Sequence, residues 1–274
     1  GDQNVPVLFD SEAMVAVFDS VKDLARDTVL EGDLVRSGAL GSVVSILLSV
    51  GNATSTVSDA ALSLAAISSG LDALANLTTA SAHAAVAHEF GALPYVCKCL
   101  EDGLARAAAS APSTITGSAV EKTPDDVVTQ RLLEGAVSVV RNLSAAPHDL
   151  RPLVVAHGAI GSLVNLVTTF GLDTDVCSDA IAALLNVSTH DLADAALRDN
   201  GVAPVLLECV GDCVAGIELQ DFQAERRAAG NSSDVNSGDF EDDDDETRDR
   251  IAAATLALRT ARNMCASEPG SQFF

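Results

Sequence analysis

His157-Gly-Ala-Ile-Gly-Ser-Leu-Val-Asn-Leu166 opens a stretch that closes at Leu185-Asn-Val-Ser188, and both ends of it recur along the chain. The opening returns as Ser37-Gly-Ala-Leu-Gly-Ser-Val-Val-Ser-Ile46, Phe90-Gly-Ala-Leu-Pro-Tyr-Val-Cys97 and Asn200-Gly-Val-Ala-Pro-Val-Leu-Leu207. The closing motif returns as Ala75-Asn-Leu-Thr78, Arg141-Asn-Leu-Ser144 and Arg262-Asn-Met-Cys265. From each motif Asn to the next motif Gly the step is 15, 16 and 15 residues, whereas from Gly to Asn it is 38, 51, 28 and 62. The shortest full unit, Gly158 to Gly201, is 43 residues, within the period of helical solenoid repeats. The longer units therefore read as the same repeat with insertions in its Gly-to-Asn half.

Each unit reads as three helices. A short first helix ends at the motif Gly, which relieves the strain of a sharp turn. A second helix follows, opened by Pro94, Gly161 or Pro204. A third, amphipathic helix ends in the Asn motif. In the shortest unit it spans about 175–187, with Val176, Ala180, Leu184 and Val187 on one face. One unit cannot bury both its faces, so it must stack on its neighbours.

The two motifs at this mutual spacing resemble those of the armadillo-repeat family over residues 11–268. The resemblance implies an all-α fold, a right-handed α-α superhelix (an armadillo solenoid) of about 4.5 three-helix repeats. A partial repeat covers 11–36, with Asp23 standing where an Asn is expected, 15 residues before Gly38. Repeats follow at 37–89, 90–156, 157–199 and 200–268, then a tail at 269–274, all in one solenoid over 1–274. In the first full repeat, Asp59–Ala66 also aligns with Asp179–Asn186 and would put Ala66 at the Asn position. Asn76 keeps the 15-residue step, and an elongated third helix accommodates both. Met14, Phe18 and the tail Phe273-Phe274 are candidates to cover the solenoid's ends, unless further repeats adjoin them.

Two segments read as loops between second and third helices. Residues 104–124 are rich in Ala, Ser, Thr, Pro and Gly. Residues 229–249 contain the acidic block 239–246, whose like charges and single aromatic cannot bury enough surface to fold alone. The second helix before it continues to about Ala228 by the spacing of Leu206, Val210, Cys213 and Ile217.

Composition narrows the function. The 274 residues are 48% apolar but only 3% aromatic, so the core must be filled by Ala, Val, Leu and Ile. Sixteen basic against 39 acidic residues give a net charge of −23, which opposes binding to nucleic acid. Cys97, Cys99, Cys177, Cys209, Cys213 and Cys265 lie in helix-like apolar stretches without a CxxC pair, and read as buried free thiols rather than metal ligands. The apolar run 38–50 is too short to span a bilayer, and no signal peptide is read.

No catalytic constellation is found: no P-loop, GxGxxG or HExxH, and His148-Asp-Leu and His190-Asp-Leu read as helix starts. No enzyme activity, metal, cofactor or small-molecule substrate is expected. Sequons occur at Asn52, Asn76, Asn142, Asn186 and Asn231, but three are the repeat motif itself.

By resemblance the third helices line a concave groove, and the motif asparagines Asn76, Asn142, Asn186 and Asn263 hydrogen-bond the backbone of an extended peptide. A side-chain amide offers the donor and acceptor that a peptide group needs. The competing reading is that these Asn cap their own helices or bond to the next repeat. The lack of Trp sets the chain apart from importins of the alpha type, which pair the Asn array with Trp to hold basic peptides. Arg141 and Arg262 precede motif Asn residues, and Arg259 lies one turn before Asn263. They suggest a local positive strip suited to an acidic segment, as in catenin-type armadillo proteins. The expected function is a non-catalytic, eukaryotic protein-binding scaffold in the cytoplasm, with nuclear shuttling and peripheral membrane recruitment left open. The alternatives are a regulatory subunit acting on an enzyme or small GTPase through the acidic loops, and a structural part of a cytoskeletal or ciliary assembly.

Overall fold

A computed structural model describes residues 11–53, 60–110, 123–146, 150–171, 174–215 and 242–266, and among these there is no strand. The chain divides into two compact units between His157 and Gly158, at a motif glycine.

The first unit holds α1 (Ser11–Leu24), α2 (Thr28–Arg36), α3 (Ala39–Ala53), α4 (Ala60–Leu77), α5 (Ser81–Glu89), α6 (Ala92–Ser110), α7 (Pro124–Ala145) and α8 (Arg151–Ala156). Helices start where local chemistry predicts. The Asp27 carboxylate accepts from Val29 N at 2.8 Å and Leu30 N at 3.3 Å, and Thr123 with Asp126 closes a capping box ahead of Pro124. First and second helices turn at glycines in the left-handed region, Gly38 at φ 88° and Gly91 at φ 86°. There α2 and α3 bend by 72°. The third helices α1, α4 and α7 pack side by side, and α6 packs on α7.

The second unit contains α9 (Ala159–Thr169), α10 (Asp175–Val187), α11 (Asp194–Asp199), α12 (202–215) and α13 (Asp242–Ala266). Gly158 (φ 74°) and Gly201 (φ 64°) make its corners, and α10 packs against both α9 and α13. His190 does start a helix, its Nδ1 accepting from Leu192 N at 3.3 Å. His148 lies outside the described residues.

Several boundaries move. Residues 104–110, expected in a loop, complete α6, because Leu-Ala-Arg-Ala-Ala-Ala is strongly helix-forming. The acidic run Asp242–Glu246, expected in a loop to 249, opens α13. Negative charge is favoured at a helix N-terminus, where free N–H groups point outward. Residues 216–241 and the tail 267–274 lie outside the described residues. Phe18 does not cover the outer end: it is 1% exposed and faces α4, its ring 3.0 Å from where a Cβ on Gly70 would stand.

Among the described residues no single helix is long and apolar enough to cross a membrane, although α2 and α3 together, bent by 72°, reach that length and apolar character.

Candidate functional site

The motif asparagines close the third helices, and three of them bond to the end of the preceding third helix. Asn76 on α4 donates through Nδ2 to the Lys22 carbonyl of α1 at 3.0 Å. Asn142 on α7 donates to the Ala75 carbonyl of α4 at 2.8 Å and to Thr78 Oγ1 at 3.3 Å. In the other unit, Asn263 on α13 donates to Ser188 Oγ, just past α10, at 3.3 Å. Lys22 and Ala75 each stand one residue before the motif position of their own helix, and Thr78 and Ser188 two residues after it. The bonds thus repeat in register: each of these three Asn reaches back to the preceding third helix.

The hydroxyls completing this staple are buried. Thr78 Oγ1 donates to the Leu74 carbonyl at 2.8 Å, and Ser188 Oγ to the Leu185 carbonyl at 2.8 Å, so each is donor and acceptor at once. Ser144 holds the same position on α7, donating to the Arg141 carbonyl at 2.7 Å. The Asn-x-Ser/Thr pattern is therefore a packing device. Each such bond is worth about 1 kcal/mol, and orphaning a buried partner costs about 1–3.

Apolar register agrees with the polar one. Leu71 of α4 fits against Gly135 of α7, where an added Cβ would come within 2.9 Å of Leu71 Cβ and 3.2 Å of the Asp72 backbone nitrogen. Between first helices, the buried Glu31 of α2 pairs with His83 Nδ1 of α5 at 2.8 Å. No sequence motif marks either contact.

The groove positions are half-buried at Asn76, Asn142, Asn186, Asn263 and Arg141, and exposed at Arg259 and Arg262. Arg141 turns its guanidinium to its neighbour, Nη2 lying 3.3 Å from Asn142 Oδ1. Lys22 pairs with Asp19 at 3.0 Å and stands 3.9 Å from Asp72. Burial raises the Asp72 carboxyl above the usual aspartate range, Lys22 opposing the shift and Glu134 adding to it. The positive strip expected from the sequence is thus mixed on the α1–α4–α7 face, while Arg259 and Arg262 are exposed on α13.

Burial pushes the Cys97 thiol up to about 12 and those of Cys99 and Cys209 to about 11. The Tyr95 phenol is raised for the same reason. Among the described residues no group of three or more His, Cys, Asp or Glu side chains could hold a metal ion.

Three-helix units turned at positive-φ glycines and stacked through their third helices define an armadillo-like repeat fold. Solved structures agree. The chain superposes on an engineered protein from the Northeast Structural Genomics Consortium with a TM-score of 0.57 at 16% identity, covering 92% of this chain and 77% of that one. It superposes on a designed armadillo repeat protein in complex with the peptide (KR)4 with a TM-score of 0.55 at 15% identity, covering 98% and 92%. No family model and no curated protein matches the sequence.

Proposed function

We propose that this protein is a non-catalytic, cytoplasmic interaction scaffold whose third helices hold an extended segment of a partner protein. The observation that carries the reading is the row of half-exposed Asn amides on neighbouring third helices, held in register by the staples. Each staple at Asn76 and Asn263 uses one amide N–H, and a second N–H and Oδ1 are what a peptide backbone can take. The designed armadillo protein that carries (KR)4 is a precedent for peptide binding by this fold, an argument by analogy. The exposed Arg259 and Arg262 favour a partner segment of acidic character.

The test is fluorescence anisotropy with two labelled probes, an alternating Asp/Ser peptide and (KR)4. The acidic probe should bind, and Arg259→Ala/Arg262→Ala, folded by circular dichroism, should weaken it about tenfold. Binding of neither peptide defeats the reading. Preference for (KR)4 keeps the scaffold but reverses the partner's charge.

A further inference from the structure

Third helices have a backward face and a forward face, and the packed pairs show which is which. Counting from the motif residue, position −5 points forward: Phe18 lies against Gly70 of the next third helix, and Leu71 against Gly135. Phe18, Leu71 and Ile181, each followed by a third helix in its own unit, are no more than 1% exposed. The backward face is reached at −6 on α4, by Gly70, and at −7 on α7, by Gly135; positions −6 and +1 are closed wherever a third helix precedes in the same unit. They are buried as Gly70 and Leu77 on α4, Ala136 and Leu143 on α7, and Ala257 and Met264 on α13.

Two helices break this pattern, each on one face only. On α1 the backward positions are Val17, 55% exposed, and Leu24, 48% exposed. On α13 the forward position is Leu258, 52% exposed, with Ile251 two turns earlier at 49%. One face is shaped as the back of a repeat junction and the other as the front.

We propose that a second copy of this chain docks here head to tail, the forward face of α13 in one copy seating on the backward face of α1 in the other. Charge supports this occupant. Inside the first unit, Lys22 at position −1 faces Asp72 at position −4 of the next third helix, 3.9 Å away. In the same register Arg262, at −1 on α13, meets Asp19, at −4 on α1. Asp23 takes the motif position and adds a second carboxylate, where an Asn would have donated to a carbonyl. Asp19 and Asp23 now pair with Lys22 at 3.0 Å and Arg26 at 3.2 Å within α1. Leu258 seats between Ala13, Ala16, Val17 and Ser20, as Leu71 seats against Gly135. The contact is heterologous: each copy that joins leaves one face of each kind open.

Sedimentation equilibrium to about 1 mM protein, the range of weak contacts, tests this. Average mass should rise with concentration for the wild type. Val17→Glu and Leu258→Glu, both at exposed positions, should each remain a single chain with an unchanged circular dichroism spectrum. An equimolar mixture of the two should form a one-to-one pair, because each variant keeps the face the other has lost. Arg262→Glu should weaken association about tenfold, and Asp19→Arg in the same chain should restore it. A wild type that stays a single chain overturns the proposal, as do variants that associate like wild type or a mixture that fails to pair.

Discussion

Between α4 and α7, an Asn amide reaches both a carbonyl and a buried threonine hydroxyl, and a leucine presses on a glycine backbone. Between α1 and α4, the same amide finds a carbonyl only, since Ala25 stands where a hydroxyl would be, and the glycine faces side-chain ends. An ion pair at 3.9 Å stands beside this second junction. One register is thus held by two chemistries, the first rigid and hydrogen-bonded, the second softer and more charged. The register lies in the positions, and the side chains decide how hard each junction is to deform.

Alanine at the two glycines should separate these junctions most. At Gly135 the new Cβ would meet Leu71 Cβ and the Asp72 backbone, which cannot rotate away. Gly135→Ala is expected to lose about 2 kcal/mol by urea unfolding, although alanine itself favours the helix by about 1. At Gly70 the nearest atoms are Leu47 Cδ2 and the Phe18 ring edge. These can shift, so Gly70→Ala should change stability by less than about 1 kcal/mol. Equal losses at the two sites would erase the contrast.

The asparagines should differ in the same direction by less. Asn142→Leu removes the amide donor to the buried Thr78 hydroxyl and to the Ala75 carbonyl, which keeps only the longer bonds from Thr78 N and Oγ1 at 3.3 and 3.2 Å, at a cost of about 2 kcal/mol. Asn76→Leu removes one bond, at a cost of about 1. A double-mutant cycle between Asn142→Leu and Thr78→Val should show coupling that a cycle with Ala25 cannot.

The charged junction carries its own pH signature. The Asp72 carboxyl is raised in the fold, so the native state binds its proton more readily than the unfolded chain does. Its contribution to stability is therefore present at low pH and lost as pH rises from the ordinary aspartate value of 3.8 through the raised folded value. Asp72→Asn should flatten that part of the urea-midpoint profile, which begins at about pH 4 and extends upward. A slope that persists unchanged would assign it to other carboxylates.

The thiols offer the smallest signal. With pKa values raised to about 12 and about 11, Cys97 and Cys99 should resist iodoacetamide in the native state at about pH 8 and react once unfolded.

The repeat and its corners were legible because they rest on local chemistry. Periodicity predicts a third helix at about 175–187, where α10 stands, and the motif glycines are the positive-φ residues. Asn76, not Ala66, makes the staple in the first full repeat, within an α4 long enough for both alignments. What the Asn side chains hold was not legible, since an amide serves a bound peptide, its own cap and a neighbouring helix equally well. The signal was nonetheless in plain view: Thr78, Ser144 and Ser188 recur two residues after the Asn. The Glu31–His83 pair joins residues 52 apart with no motif to align them, so no local pattern announces it.

The two spacings in the chain have a practical meaning. The step of 15 or 16 residues from motif Asn to motif Gly contains the staple, the first helix and the corner, all of which must fit a neighbour. The Gly-to-Asn half contains a connection that has already been lengthened more than once. Such an array has natural sockets for cargo. A foreign loop or a small domain grafted between Thr169 and Asp175, the shortest of these connections, should leave the melting temperature nearly unchanged, as loop-closure entropy grows only slowly with length.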